Sequence, residues 1–127
     1  KVAKNNKSVT VYGVKSRKVS KVTVPNTVKK NGKVYKVTSI GAKAFANCKK
    51  LKTVSVGKNT KSVGKLAFKG DKKLKKVTFK AKKTSIAKGA FVKCNKKITF
   101  HCQKGKKVKK YYKKGIKKGG IKKVVLK

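Results

Sequence analysis

Residues 39–56 read SIGAKAFANCKKLKTVSV, and the chain says nearly the same thing twice more, as SVGKLAFKGDKKLKKVTF over residues 62–79 and SIAKGAFVKCNKKITF over residues 85–100. Aligned at steps of 23, Ile40 falls on Val63 and Ile86, Ala44 on Ala67 and Ala90, and Phe45 on Phe68 and Phe91. Gly41 matches Gly64, with Ala87 in the third copy; Leu51 matches Leu74; Cys48 and Cys94 match, with Asp71 between them. A fixed period of this length marks a stacked array in which no unit can bury its apolar face alone. Each copy is therefore read as one coil. The third reads as two residues short, which would lay ITF (98–100) beside VTF (77–79) and VSV (54–56).

Within a coil, VSV, VTF and ITF alternate apolar and small polar residues, the period-two pattern of a short strand with one face buried. That alternation places Ser55, Thr78 and Thr99 in an outward row. The segments IGAKAF and VGKLAF join small residues to one large aromatic, which suits a tight turn leading into a short helical or 3₁₀ segment with Phe inward. The expected core is Ile40, Phe45, Cys48, Leu51 and Val54 from the first copy, then Val63, Phe68, Leu74 and Val77, then Ile86, Phe91, Cys94 and Ile98. The fold class that follows is a repeat solenoid, mainly β with short helical or 3₁₀ turns and a C-terminal capping helix.

The flanks fit one domain of 127 residues. VTV occurs at 9–11 and again at 22–24, the second followed by Pro25, which ends ladder bonding, and Asn31-Gly32 marks a turn. Residues 1–36 are read as an N-terminal hairpin or irregular first coil, 37–102 as the three repeats and 103–127 as a cap. In that cap Val108, Tyr111, Tyr112 and Ile116 share one helical face, Gly119-Gly120 stop the helix, and a last apolar run follows at 124–126.

The stretch from VTVP (22–25) through NGKVYKVTSIGAKAFANCKKLKTVSVGKNTKSVGKLAFKGDKKLKKVTF (31–79) resembles the BspA-like leucine-rich repeat family. The run KGKKVKKYYKKGIKKGGIKK (104–123) is similar to the closing segment of such proteins from gut-dwelling Gram-positive anaerobes. The resemblance spans roughly residues 20–120, with Asp71 where the repeat has Cys and Ala87 where it has Gly. It implies a right-handed solenoid, a secreted or cell-surface location, and a binding or adhesive role rather than catalysis. It does not imply a particular ligand.

Charge dominates the composition: 42 basic residues against a single acidic one, Asp71, give a formal net charge of +41. Chains so charged are commonly disordered, and here the regular spacing of Val, Ile and Phe argues otherwise. Arg17 is the one arginine; lysine is a hydrated point charge without the planar fork that reads guanine edges. No run approaches the ~18 apolar residues of a membrane span, and the opening KVAKNNKSV has no apolar signal core. An export signal is expected to have been removed or to lie outside this chain.

One carboxylate cannot supply the paired acids of glycoside hydrolysis, a Ser-His-Asp arrangement or an oxygen cage for a divalent cation. No enzymatic activity and no cofactor are therefore expected, and Asp71 reads as a loop residue capping backbone or pairing with lysines. Cys48 and Cys94 lie two coils apart, ~10 Å on strand spacing, beyond disulfide reach; Cys102 reaches Cys94 only if the third coil bends back. A zinc site from Cys94, His101 and Cys102 lacks the usual spacing and a fourth ligand, so no metal is expected. Phe45, Phe68 and Phe91 read as core rather than as base-stacking platforms.

The lysines remain. As a solvated face they protect strand edges and raise solubility; as a field they hold any polyanion within reach. The contact residues expected from the repeat loops are Lys49, Lys50, Lys72, Lys73, Lys75, Lys76, Lys96 and Lys97. The partners expected are a host extracellular protein, an anionic polysaccharide or a wall polymer, with nonspecific nucleic acid as a lesser reading. A spacer or capping domain of a larger exported protein is the alternative, and the chain is expected to be a monomer or part of a longer polypeptide.

Overall fold

The alternation in VSV and VTF does build strands, and they pair in parallel at the repeat period. The computed structural model describes residues 8–13 and 18–127; the parts of the N-terminal reading that fall on residues 1–7 and 14–17, Arg17 included, lie outside the described residues. The elements in chain order are β1 (Ser8–Val11), β2 (Lys21–Val24), β3 (Thr27–Lys30), β4 (Lys33–Ile40), β5 (Thr53–Val56), β6 (Ser62–Val63), β7 (Lys76–Phe79), β8 (Ser85–Ile86), β9 (Thr99–His101), α1 (Lys106–Lys118) and β10 (Val125–Leu126).

Two sheets result. In the first, β2, β5, β7, β9 and β10 lie side by side, every neighbouring pair parallel. In the second, β1, β4, β6 and β8 do the same, and β3 joins β4 as an antiparallel hairpin. The hairpin turns at Asn31 (φ 51) and Gly32 (φ 79), a two-residue loop whose positive dihedrals match the twist of its strands. The two sheets bury their inward rows in one core: Val22, Val54, Val77 and Phe100 from the first, Ile40, Val63 and Ile86 from the second.

The second sheet was not legible as strands. Its members β6 and β8 are two residues long, too short for alternation to register, although Ile40, Val63 and Ile86 stood out as a core row. The register of the third copy also differs from expectation. Val77 pairs with Phe100 and Lys76 with Thr99, so the 23-residue step holds through the strand and the copy is not shortened. Three residues rather than two separate Cys94 from its next buried apolar residue, Ile98, and one fewer follows before the strand. Insertion and deletion cancel, and Phe100 takes the inward place of Val54 and Val77. The outward row is consequently Thr23, Ser55, Thr78 and His101, with Thr99 in the neighbouring row beside Lys76.

Between the sheets the described residues make no helical or 3₁₀ segment; each copy runs through consecutive turns. Ala44 N–H bonds Gly41 O and Ala46 N–H bonds Lys43 O, and the pattern recurs from Gly64 to Lys69 and from Ala87 to Val92. The reason is backbone handedness at two fixed positions per copy. Lys43, Leu66 and Gly89 have φ of 58°, 60° and 75°, and Asn47, Gly70 and Lys93 have 58°, 79° and 58°. A left-handed residue every few positions breaks any right-handed helix. It also lets each turn bond the next copy: Phe45 N–H to Ala67 O and Phe68 N–H to Ala90 O, both 2.8 Å.

That stacking places ring on ring. Phe45 and Phe68 have centroids 5.4 Å apart, and Phe68 and Phe91 5.2 Å with planes 3° from parallel. At the far end α1 covers the last copy. Ile116 and Tyr112 are fully buried, and a side chain at Gly119 would press on Phe91 and Ile86. The Tyr112 ring stacks on Phe79 at 4.7 Å. Its hydroxyl donates to Ala81 O beside Thr84, whose own hydroxyl donates to Thr60 O at 2.8 Å. Burial pushes the Tyr112 phenol above its ordinary pKa. Tyr111, next to it, is half-buried, with Lys83 Nζ 5.7 Å above its ring.

Candidate functional site

The turn that precedes each strand of the first sheet carries the lysines. With the 23-residue step fixed by strand pairing, Lys50 and Lys73 fall in one column, with Lys96 at the same step by count, Lys49 and Lys72 in a second, and Lys52 and Lys75 in a third. All are exposed. Lys76 is different, because it lies within β7 and projects outward from the sheet between Thr53 and Thr99. Lys97 falls at the level of Leu74 by count, but Ile98 takes the buried place and Lys97 is left exposed. Successive parallel strands are ~4.8 Å apart, so each column repeats a positive charge at about that interval.

Two unit charges at ~5 Å in water repel by about 1 kcal/mol, screened over ~8–10 Å at moderate salt. Nothing on the surface offsets this. The one side-chain carboxylate, Asp71, is fully buried, accepting Cys48 N–H at 2.8 Å. Asp71→Ala is expected to lower the unfolding free energy by about 1–3 kcal/mol by leaving a buried N–H unsatisfied, while Asp71→Asn, which keeps an acceptor oxygen, loses less in the same denaturant titration. Equal losses would show that the acceptor is not what matters.

The cysteines occupy three different environments. Cys48 is fully buried; Cys94 is half-buried, contrary to the fully buried thiol expected, and donates from Sγ to Phe68 O at 2.8 Å. Burial, reinforced by the nearby Asp71 charge and opposed by backbone hydrogen bonds, pushes the Cys94 thiol up to about 12. Cys102 is also raised by burial, with Lys109 acting against it. None of the three is joined in a disulfide. A thiol reagent at pH 8 is therefore expected to modify Cys102 ahead of Cys94 and Cys48 in the native protein, with all three reacting after unfolding; rapid native modification of Cys94 would contradict this environment. Among the described residues no three His, Cys, Asp or Glu side chains cluster as metal ligands would.

Of the expected core, Ile40, Phe45, Cys48, Leu51, Val54, Val63, Phe68, Leu74, Val77, Ile86, Phe91 and Ile98 are buried. The sequence reading missed a recess of about 460 Å³ where the third copy meets the cap. Phe91 and Ile121 contribute its apolar lining, and Lys93, Lys96, Lys97, Lys122 and Lys123 surround it. Its signal was present in Gly119-Gly120, read only as a helix stop.

Parallel strands recurring every 23 residues, joined by turns and closed by one helix, define a leucine-rich-repeat-like protein. A family model for the BspA type leucine rich repeat region, in six copies, matches residues 12–126, and the chain belongs to that family. A leucine rich cell surface protein from Faecalibacterium prausnitzii is similar in structure, with a TM-score of 0.65 and 22% identity over 78% of this chain. The match covers 30% of that protein's chain. At such identity the likeness speaks to the fold. A search of the curated proteins found no match. Among the described residues, no helix is long and apolar enough to cross a membrane.

Proposed function

We propose that this chain is a right-handed solenoid that serves at the cell surface as a non-enzymatic adhesion module, holding anionic polymers along its lysine columns. The observation that carries the reading is the pairing of stacked lysines with a buried Asp71: every side-chain charge left on the surface is positive, and the repeat sets the charges at regular intervals. A polyanion laid along Lys50, Lys73 and Lys96 relieves their mutual repulsion and releases its own counterions. Lysine rather than arginine favours backbone charge over base edges, so an anionic polysaccharide or wall polymer fits better than nucleic acid.

Binding of the protein to immobilised heparin, wall teichoic acid and duplex DNA, titrated with salt from about 50 to 500 mM, tests this. Retention of one polysaccharide or wall polymer at about 150 mM salt, after DNA has dissociated, is the expected result. Release of all three together at lower salt would overturn it. A second reading, a spacer within a larger exported protein, draws support from the 30% share of the similar solved chain that the match covers, and that second outcome would favour it.

A further inference from the structure

The aromatic stack stops one level early. Phe91 N–H bonds Gly119 O at 2.8 Å, as Phe45 N–H bonds Ala67 O and Phe68 N–H bonds Ala90 O. Gly119 therefore stands where Ala67 and Ala90 stand, and the next residue, Gly120, stands where Phe68 and Phe91 stand. Gly120 itself carries no ring to continue the stack. Nor could this residue readily carry one: Gly120 has φ +110, and a Cβ on it would lie 2.8 Å from Val92 Cγ1. The recess of about 460 Å³ lies at this level, against Phe91 and Ile121.

A purely polar anion has no use for an apolar lining, and a purely apolar ligand would be poorly served by a wall that five lysines share. The volume falls in the ~300–1,000 Å³ range of small-molecule sites, which join an apolar body to a few converging polar groups. We propose that this recess binds a small amphipathic anion, a carboxylate or sulfonate carried on an apolar ring or chain. The apolar part lies in the recess, whose lining includes Phe91, Ile121 and the lysine stems, and the head group meets Lys96 and Lys97 on one side and Lys122 and Lys123 on the other. This site shares Lys96 with the lysine columns but differs from them in chemistry, since the columns need only charge and repeat.

The probe is anilinonaphthalene sulfonate, whose fluorescence rises on leaving water, compared with uncharged phenylnaphthylamine, at about 150 mM salt to suppress diffuse ion pairing. The expected result is one dominant site for the sulfonate and binding of the uncharged analogue weaker by about tenfold or more. Asn95→Trp, which fills the recess from its wall, abolishes that site. The pair Lys96→Gln and Lys122→Gln weakens it about tenfold, whereas Lys49→Gln with Lys72→Gln, the same charge removed from the columns, changes it less than about twofold. Equal affinity for charged and uncharged probes, many equivalent weak sites, or an equal loss from the two lysine pairs would each overturn the proposal.

Discussion

Replacing Phe68 by alanine is expected to lower the unfolding free energy by about 3–5 kcal/mol, the range for removing a buried aromatic ring. Phe68 is fully buried and is the middle member of the stack, with neighbours at 5.4 and 5.2 Å on its two sides. Its removal opens a void that Phe45 and Phe91 cannot close together, because each is fixed by backbone bonds to the adjoining copy. A domain of this size carries only about 5–15 kcal/mol, so Phe68→Ala is expected to approach the threshold of folding at ambient temperature. Phe68→Leu retains much of the volume and loses less. A denaturant titration in which Phe68→Ala lost under about 1 kcal/mol would show that the stack is not the axis of the core.

The second large effect concerns Gly64. A Cβ built there lies 2.5 Å from Ala42 N and 2.6 Å from Gly41 C, both backbone atoms of the preceding copy. Backbone cannot swing aside as a side chain does, so Gly64→Ala must push two copies apart across the Gly64 N–H to Ile40 O bond of 2.7 Å. A loss of about 3 kcal/mol is expected, at the upper end for overpacking. The contrast lies at Ala87, the same position one copy later, where the chain already carries a methyl group and the corresponding bond from Ala87 N–H to Val63 O is 3.0 Å. Ala87→Gly is expected to change stability by under about 1 kcal/mol. Equal tolerance of a methyl at 64 and 87 would remove the close approach as the reason for glycine.

These two residues show what could be read without coordinates and what could not. Phe68 declared itself, because an aromatic recurring every 23 residues in a lysine background has no explanation but a shared core. Gly64 matched Gly41 in the alignment, yet nothing in the sequence told whether glycine served a turn or a close contact. The reading of a short helix failed for a local reason. Lys43, Leu66 and Lys93 adopt left-handed backbone that their residue types do not announce, and Lys43 N–H and Asn47 N–H bond Lys65 O and Lys69 O of the next copy. The register of β9 failed because ITF resembles VTF, whereas Phe100 pairs with Val77 and lies edge-on to Phe91 at 5.3 Å.

The site divides the same way. Stacked lysines follow from period and parallel pairing, so Lys50, Lys73 and Lys96 could be aligned from sequence alone. The recess could not, because it depends on α1 returning the chain so that Gly120 meets the level of Phe91. Folding under so much like charge is explained by where the charges go: the lysines of the described residues lie at the surface, where their repulsion is screened, and the apolar rows close behind them. Added phosphate or sulfate is expected to raise stability for the same reason.

The central claim is that order, and not charge alone, makes the lysine columns a polyanion surface. The direct test compares two variants of equal charge: Lys49, Lys50, Lys72 and Lys73 changed together to glutamine, and Lys106, Lys107, Lys113 and Lys114 of α1 changed likewise. Heparin affinity is measured for both at about 150 mM salt. The account predicts a loss of about tenfold or more for the column variant and markedly less for the helix variant. Equal losses from the two would mean that heparin responds to net charge wherever it lies, and would contradict the claim.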